Sequence, residues 1–371
     1  MVARTLIIGG YGNFGSYIAE ALKNEPAIQL LIGGRSREKA ARFCSALAGI
    51  NAPEAHDIDI DGDLAGALKG IAPDIVIHTT GPFQNQDHRV AEACIAQGCH
   101  YLDLADARRF VGTIAALDAA AKAAEVLVVS GASSVPCLTG AFVDEALPRF
   151  ARLEALDYGI SAAQHTNRGL ATTSAVLSYV GKPIVMLREG APRCVYGWQE
   201  LHAVRYPGLG TRLFGNCDIP DLDLFPQRYP SLRSLRFAAG HELKLLHLGT
   251  WALSWLVRAR LIGSLADHAE PLLRAGFLFD RFGSGRSGFH MVLSGIGQDG
   301  KARTERVFLV ARSGHGPYIP CMPAILLARK LAEGTLDKRG ALPCLDLINL
   351  PEYLAALEGL DIEVTRRVDD A

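Results

Sequence analysis

Up to about Val129 the chain alternates short, continuous apolar runs with longer stretches whose apolar positions recur at helical spacing. Leu6-Ile7-Ile8, Leu30-Leu31-Ile32, Ile75-Val76-Ile77 and Val126-Leu127-Val128-Val129 are unbroken apolar runs, the pattern of strands covered on both faces. Between them lie the alanine-rich stretches Ser16–Lys23, Arg37–Leu47, Arg89–Gln97 and Phe110–Ala124, which are spaced for helix. This rhythm predicts the βαβ units of a parallel, doubly wound sheet, an α/β fold of Rossmann type.

Beyond about Gly140 the period changes. Ala155–Ile160, Phe289–Gly295 and Val307–Ala311 read as longer strands, and glycine- and proline-rich turns surround Tyr206–Gly210 and Asp218–Pro230. Met291-Val292-Leu293 and Val307-Phe308-Leu309 flank Gln298-Asp299-Gly300-Lys301 and predict a hairpin, because Asp-Gly supplies positive φ cheaply. A second, α+β domain built on a mixed sheet is expected. Met322–Glu333 predicts a helix stopped by Gly334. The expected division is residues 1–140 as the Rossmann domain, 141–317 as a substrate and dimerisation domain, and 318–371 as a C-terminal helical segment packing back on the first.

The length of 371 residues fits two cores rather than one. With 38 basic against 39 acidic residues the net charge is −1, which gives no broad pull toward nucleic acid. Eight cysteines are scattered without metal-binding spacing, so a reduced, cytoplasmic setting and no metal site are expected. The most lipid-like stretch, Leu243–Ile262, is interrupted by Lys244, His247, Arg258 and Arg260 and falls short of the roughly 20 residues that span a bilayer. It reads as a buried helix, an apolar substrate wall, or a dimer or weak peripheral membrane surface.

The strongest chemical signal is Gly9-Gly10-Tyr11-Gly12-Asn13-Phe14-Gly15, in which Gly10-x-Gly12-x-x-Gly15 follows the first strand and opens a helix. In that context the glycines allow a tight turn, backbone approach to a pyrophosphate and close helix–strand packing, with the helix start receiving the charge. The second strand ends Gly33-Gly34-Arg35-Ser36-Arg37. Where an NAD-selective protein places an acid for the ribose, Arg35, with Ser36, would hold the 2′-phosphate, so NADP is favoured over NAD. Asp59 is expected near the adenine at the third strand's end. Thr80-Gly81-Pro82-Phe83 ends the next strand at the carboxyl edge, where such sheets bind a flat ligand; His78 before it reads as a satisfied strand residue.

These segments, together with Ala93–Asp103, resemble the saccharopine dehydrogenase-like NADP-binding family in order and spacing over about the first 140 residues. Ser130–Pro136 is similar to its linker into a second domain, and Gly316–Pro320 to the closing segment of some members. The resemblance implies a Rossmann domain joined to an α+β domain, with cofactor and substrate meeting between them. Among such proteins are reductases of an amine–aldehyde imine and relatives acting on polyamine precursors or enoyl lipids. Where many relatives carry Gly-Glu after the Tyr-x-Asp motif, this chain has Asp103-Leu104-Ala105-Asp106.

Asp103, at a strand's carboxyl end, and His165 are the candidate proton-transfer groups; Asp103 could equally cap the helix beginning near Arg108. Arg168, with Thr172 or Thr173 capping the helix that follows, is the candidate carboxylate site. The expected function is NADP-dependent hydride transfer to or from a C=N or C=C bond of a small or apolar substrate, by a homodimer. The alternative is an NADP-binding redox sensor or trans-acting partner without turnover of its own.

Overall fold

The computed structural model describes residues 2–166 and 169–370. Its strands are β1 (Ala3–Ile8), β2 (Ile28–Gly34), β3 (Glu54–Asp57), β4 (Ile75–His78), β5 (His100–Asp103), β6 (Leu127–Ser130), β7 (Phe150–Ala162), β8 (Pro183–Arg188), β9 (Ala191–Tyr196), β10 (His202–Tyr206), β11 (Gly210–Asn216), β12 (Ser234–His241), β13 (Ser287–Gly297), β14 (Ala302–Ala311), β15 (Gly340–Pro343) and β16 (Ile362–Asp370). They fall into two compact units, residues 1–141 with 317–356, and 142–316 with 357–371.

The first unit holds a seven-stranded sheet in the order β15-β6-β5-β4-β1-β2-β3, and every pairing in it is parallel. This is the doubly wound Rossmann order with one added strand. The apolar runs are its central strands: Leu6, Ile7, Leu31, Ile32, Val76, Ile77 and Val128 are completely or almost completely buried. The register aligns the carboxyl ends, setting Ile8 beside Gly33 on one side and His78 on the other, with His78 beside Asp103. One edge therefore carries the glycine turn, the Arg35 turn, the Thr80 turn and Asp103. Strand β3 stops at Asp57, and Asp59 lies beyond it, bending the following turn by accepting from the Asp61 amide at 3.2 Å.

The second unit is built on a mixed sheet, β10-β11-β12-β7-β13-β14-β16. Only β12 and β7 run parallel; β7–β13–β14–β16 is antiparallel, with β13 and β14 the hairpin expected around Asp299-Gly300. The sheet curls, since Tyr206 of β10 stacks edge-on against His290 of β13 and Phe308 of β14, each at 5.5 Å.

The segment after residue 317 is not simply helical. It contributes the helix Tyr318–Ala332 and β15 to the first unit, then β16 to the second. Ile362, Val364 and Val368 carry a strand's alternation, and β14 offers β16 a full antiparallel partner. The helix begins a turn before Met322, because prolines such as Pro320 are tolerated in a first turn whose N–H groups lack helical acceptors.

Candidate functional site: a dinucleotide cradle on the first sheet

The glycine turn is shaped by what surrounds it. Gly9, not Gly10, carries the positive φ, +83°: the chain reverses directly after Ile8, and a Cβ at Gly9 would lie 2.7 Å from the Thr79 hydroxyl oxygen and 2.8 Å from the Thr80 methyl. Thr79 in turn donates to the Ile8 carbonyl at 2.9 Å, tying the turn to the end of β4. A Cβ at Gly15 would fall 2.2 Å from the Gly9 oxygen, so the helix Asn13–Leu22 can approach β1 only with glycine there. Gly12 is exposed, and a Cβ on it would meet nothing but the Gly9 peptide. It is the helix's N-cap and supplies no side-chain hydrogen bond. The result is an open cradle facing a helix start, the setting that suits a diphosphate.

The Arg35 turn forms the adjoining wall. The Tyr11 ring occupies the space a side chain at Gly34 would need, and its hydroxyl accepts from the Ser36 amide at 3.2 Å. Ser36 caps the helix Arg37–Leu47, its hydroxyl accepting from the Lys39 amide at 3.3 Å. Arg35 is exposed and makes no hydrogen bond or ion pair among the described residues. An unneutralised guanidinium beside a capped helix start can take a phosphate bidentately.

At the end of β4 the structure gathers a buried polar chain. His78 is fully buried; its Nε2 lies 2.6 Å from the Thr80 hydroxyl and its Nδ1 3.0 Å from the Tyr101 hydroxyl. Burial lowers its pKa to about 3, so the ring is neutral and one hydroxyl donates to it while the other accepts. Thr80 is thereby oriented at the sheet edge. The Gly81-Pro82 peptide is cis, and Phe83 turns inward onto His78 and Phe110, at 5.0 and 5.2 Å. Phe83 is thus core, while Thr80, Gly81 and Pro82 remain partly exposed.

Asp103 departs from expectation. Its carboxyl is fully buried, and Oδ1 accepts from the Ala105 amide (2.9 Å), the Gly131 amide (2.8 Å) and the Ser130 hydroxyl (3.1 Å). Burial raises its pKa to about 6 against the lowering effect of those hydrogen bonds. It neither faces solvent as a proton donor nor caps the next helix, whose N-cap is Ala107. Instead it fastens the turns after β5 and β6 to each other.

In the second unit, His165 is exposed and donates from Nε2 to the Asp280 carbonyl at 2.8 Å, with Nδ1 on the other side of the ring. Arg168 lies outside the described residues. The helix Leu170–Ser178 starts earlier than its threonines suggested: Gly169 is the N-cap, so Thr172 and Thr173 sit within the first turn and cap nothing. Arg212 is committed to Glu242, reaching its carbonyl at 2.8 Å and its carboxylate at 3.3 Å. None of the eight cysteines forms a disulfide, and the described residues contain no cluster suited to a metal ion.

A feature the sequence did not disclose is a cavity of about 870 Å³ on the curled sheet, bordered by Asp157, Arg205, Tyr206, His290, Arg306 and Arg367 among others. Asp157, Val292, Arg306 and Arg367 are register partners across β7, β13, β14 and β16. Only the pairing brings them into one row.

The geometry defines an NADP-binding Rossmann domain. Residues 5–129, about a third of the chain, match the family model described as "Saccharopine dehydrogenase NADP binding domain". Among solved structures the chain is similar to a saccharopine dehydrogenase (L-Glu forming) from Saccharomyces cerevisiae, at 12% identity over 98% of this chain and 100% of that one, with a TM-score of 0.68. An amine dehydrogenase from Mycobacterium smegmatis aligns at 12% identity over 92% and 94%, with a TM-score of 0.48. A biliverdin reductase from Synechocystis sp. PCC 6803 aligns at 14% over 96% of each chain, with a TM-score of 0.42. At 12% identity the first likeness is one of fold alone. No curated protein matches the chain.

Proposed function

We propose that the protein is an NADP-dependent oxidoreductase that transfers hydride to or from a C=N or C=C bond of a small or apolar substrate. The observation that carries the cofactor half is the unpaired Arg35 guanidinium beside the open glycine cradle. In this reading Gly10 to Gly15 and the helix start receive the diphosphate, Arg35 and Ser36 the 2′-phosphate, and Asp59 borders the adenine. Thr80, Gly81 and Pro82 back the reactive ring, and His78 with Tyr101 holds the Thr80 hydroxyl in one orientation. Bound NADP supplies the hydride donor or acceptor. His165 is the proposed proton-transfer group, while Asp103 is a positioning residue that fixes two turns of the cradle's edge. The engagement of Arg212 with Glu242 weighs against a carboxylate held by that guanidinium and favours an apolar substrate over an amino-acid-derived one.

The test is the loss of NADPH absorbance with a panel of imine and enoyl acceptors, run beside direct NADPH and NADH titrations. Acceptor-dependent oxidation by at least one class is expected. Binding without oxidation by any acceptor would overturn hydride transfer. Arg35→Asp should weaken NADPH by roughly tenfold or more and leave NADH nearly unchanged; equal losses would reject the phosphate clamp.

A further inference from the structure

The helix Lys244–Arg258 is oriented against the usual rule. Its inward residues include His247 and Ser254, both fully buried, with Val257. Its outward stripe, Leu245, Leu248, Ala252, Trp255 and Leu256, continued by Ala259, is exposed and wholly apolar, at the three- and four-residue intervals of a single helix face. Leu245 is 65% exposed and Trp255 44%; just past the helix Leu261 is 72% exposed. The helix Ala269–Phe277 shares a small core with it through Val257, Leu265 and Ala269, and beyond that core Phe277, Leu278 and Phe282 are exposed as well. Contiguous apolar surface of this kind marks a contact with something else.

The charges around the stripe say what. Lys244 stands at one end, Arg258 and Arg260 at the other, with Arg281 and Arg286 on the following segment. None of these five makes an ion pair among the described residues. Arg258 lies instead over the Tyr196 and Trp255 rings at 3.9 and 5.1 Å, and Arg281 over Phe282 at 4.6 Å. Two copies of this helix related by a twofold axis would bring cation against cation, whether the helices paired parallel or antiparallel. A negatively charged surface complements both ends at once. The helix has 15 residues, and among the described residues no helix is long and apolar enough to cross a membrane.

We infer that this face docks on an anionic lipid bilayer, the helix lying in the interface plane with its leucines and Trp255 in the acyl boundary and its terminal cations at the headgroups. The inference is independent of the hydride-transfer reading, since it uses no residue of the cofactor cradle.

Co-sedimentation of the full chain with vesicles of phosphatidylcholine alone, or with a quarter of phosphatidylglycerol, tests it. Partitioning should be roughly tenfold stronger on the anionic vesicles and fall at high salt. Leu248→Glu with Leu256→Glu should abolish it at unchanged NADPH affinity, and Lys244→Glu with Arg260→Glu should remove the preference for phosphatidylglycerol. The inference fails if neither vesicle binds, if the leucine variant still partitions, or if sedimentation velocity shows a dimer that this variant dissolves without any vesicle binding.

Discussion

Asp103 shows how far a residue's position in a motif and its physical role can part. Its place at the carboxyl end of β5 suggests solvent chemistry, yet the turn after β6 closes over it and spends one carboxyl oxygen on three donors. Burial lifts its pKa from 3.8 to about 6 in the folded chain. The sign follows from linkage: an acid with a raised folded pKa contributes stability that is complete below the unfolded value and is lost as pH rises through the folded one. By neutral pH the ionised carboxyl costs on the order of 3 kcal/mol, at about 1.4 kcal/mol per tenfold change in proton affinity. Asp103→Asn keeps an oxygen for the same three donors and removes the charge. Its urea midpoint at pH 7.5 should equal or exceed that of the parent, with the advantage gone near pH 4. A variant markedly weaker at pH 7.5 would mean that the carboxylate, not its shape, holds the two turns.

At the scale of elements, the helix Tyr318–Ala332 solves a problem its own sequence creates. Pro323 has no N–H to give the Ile319 carbonyl four residues back, and the fully buried Tyr353 hydroxyl donates to that carbonyl instead. Tyr353→Phe should therefore cost about 1–3 kcal/mol, the penalty of a buried carbonyl left unpaired, read as a lower midpoint for the first unit; an unchanged midpoint would show that the carbonyl finds another donor. This pairing spans 34 residues and leaves no local trace, which separates what the sequence discloses from what it hides. The central strands and the glycine turn are local events, written in apolar runs and small residues, and Arg35 follows from its place after β2. Strand β15, Gly-Ala-Leu-Pro, carries no strand pattern; its identity comes from β6, with which it pairs in parallel. The alternation of β16 is present but masked by Arg366 and Arg367. The burial of Asp103 and Phe83, and the arginine-lined cavity, depend on what covers a residue or lies across a sheet, and neither is local information.

For the whole molecule, the buried histidines make the two units respond differently to acid. His78 in the first unit and His290 in the second have folded pKa values lowered to about 3, and His247 in the second is lowered to about 4, burial being the main cause in each. For His290 the neighbouring His202 and Arg236 push the same way, and His202 does so for His247. A base with a depressed folded pKa stabilises fully above its unfolded value, 6.5, and that stability drains as pH falls toward the folded one. In the first unit the losses at His78 and at His88 and His100, also lowered by burial, are opposed by Asp103, which regains stability between about pH 6 and 4, whereas in the second unit the depressed carboxyls of Glu145, Glu242 and Glu305 add to the loss. In the second unit His247 and His290 act together, taking up about two protons on unfolding, roughly 2.7 kcal/mol per pH unit. Acidification from pH 6.5 to 4 should accordingly unfold the second unit first, while the first retains its amide protection and its NADPH affinity. Hydrogen exchange resolved along the chain, followed with NADPH titration at each pH, checks this, and His290→Gln should flatten the second unit's slope by about half. Simultaneous loss of protection in both units, or earlier loss in residues 1–141, would contradict the division of acid sensitivity between them.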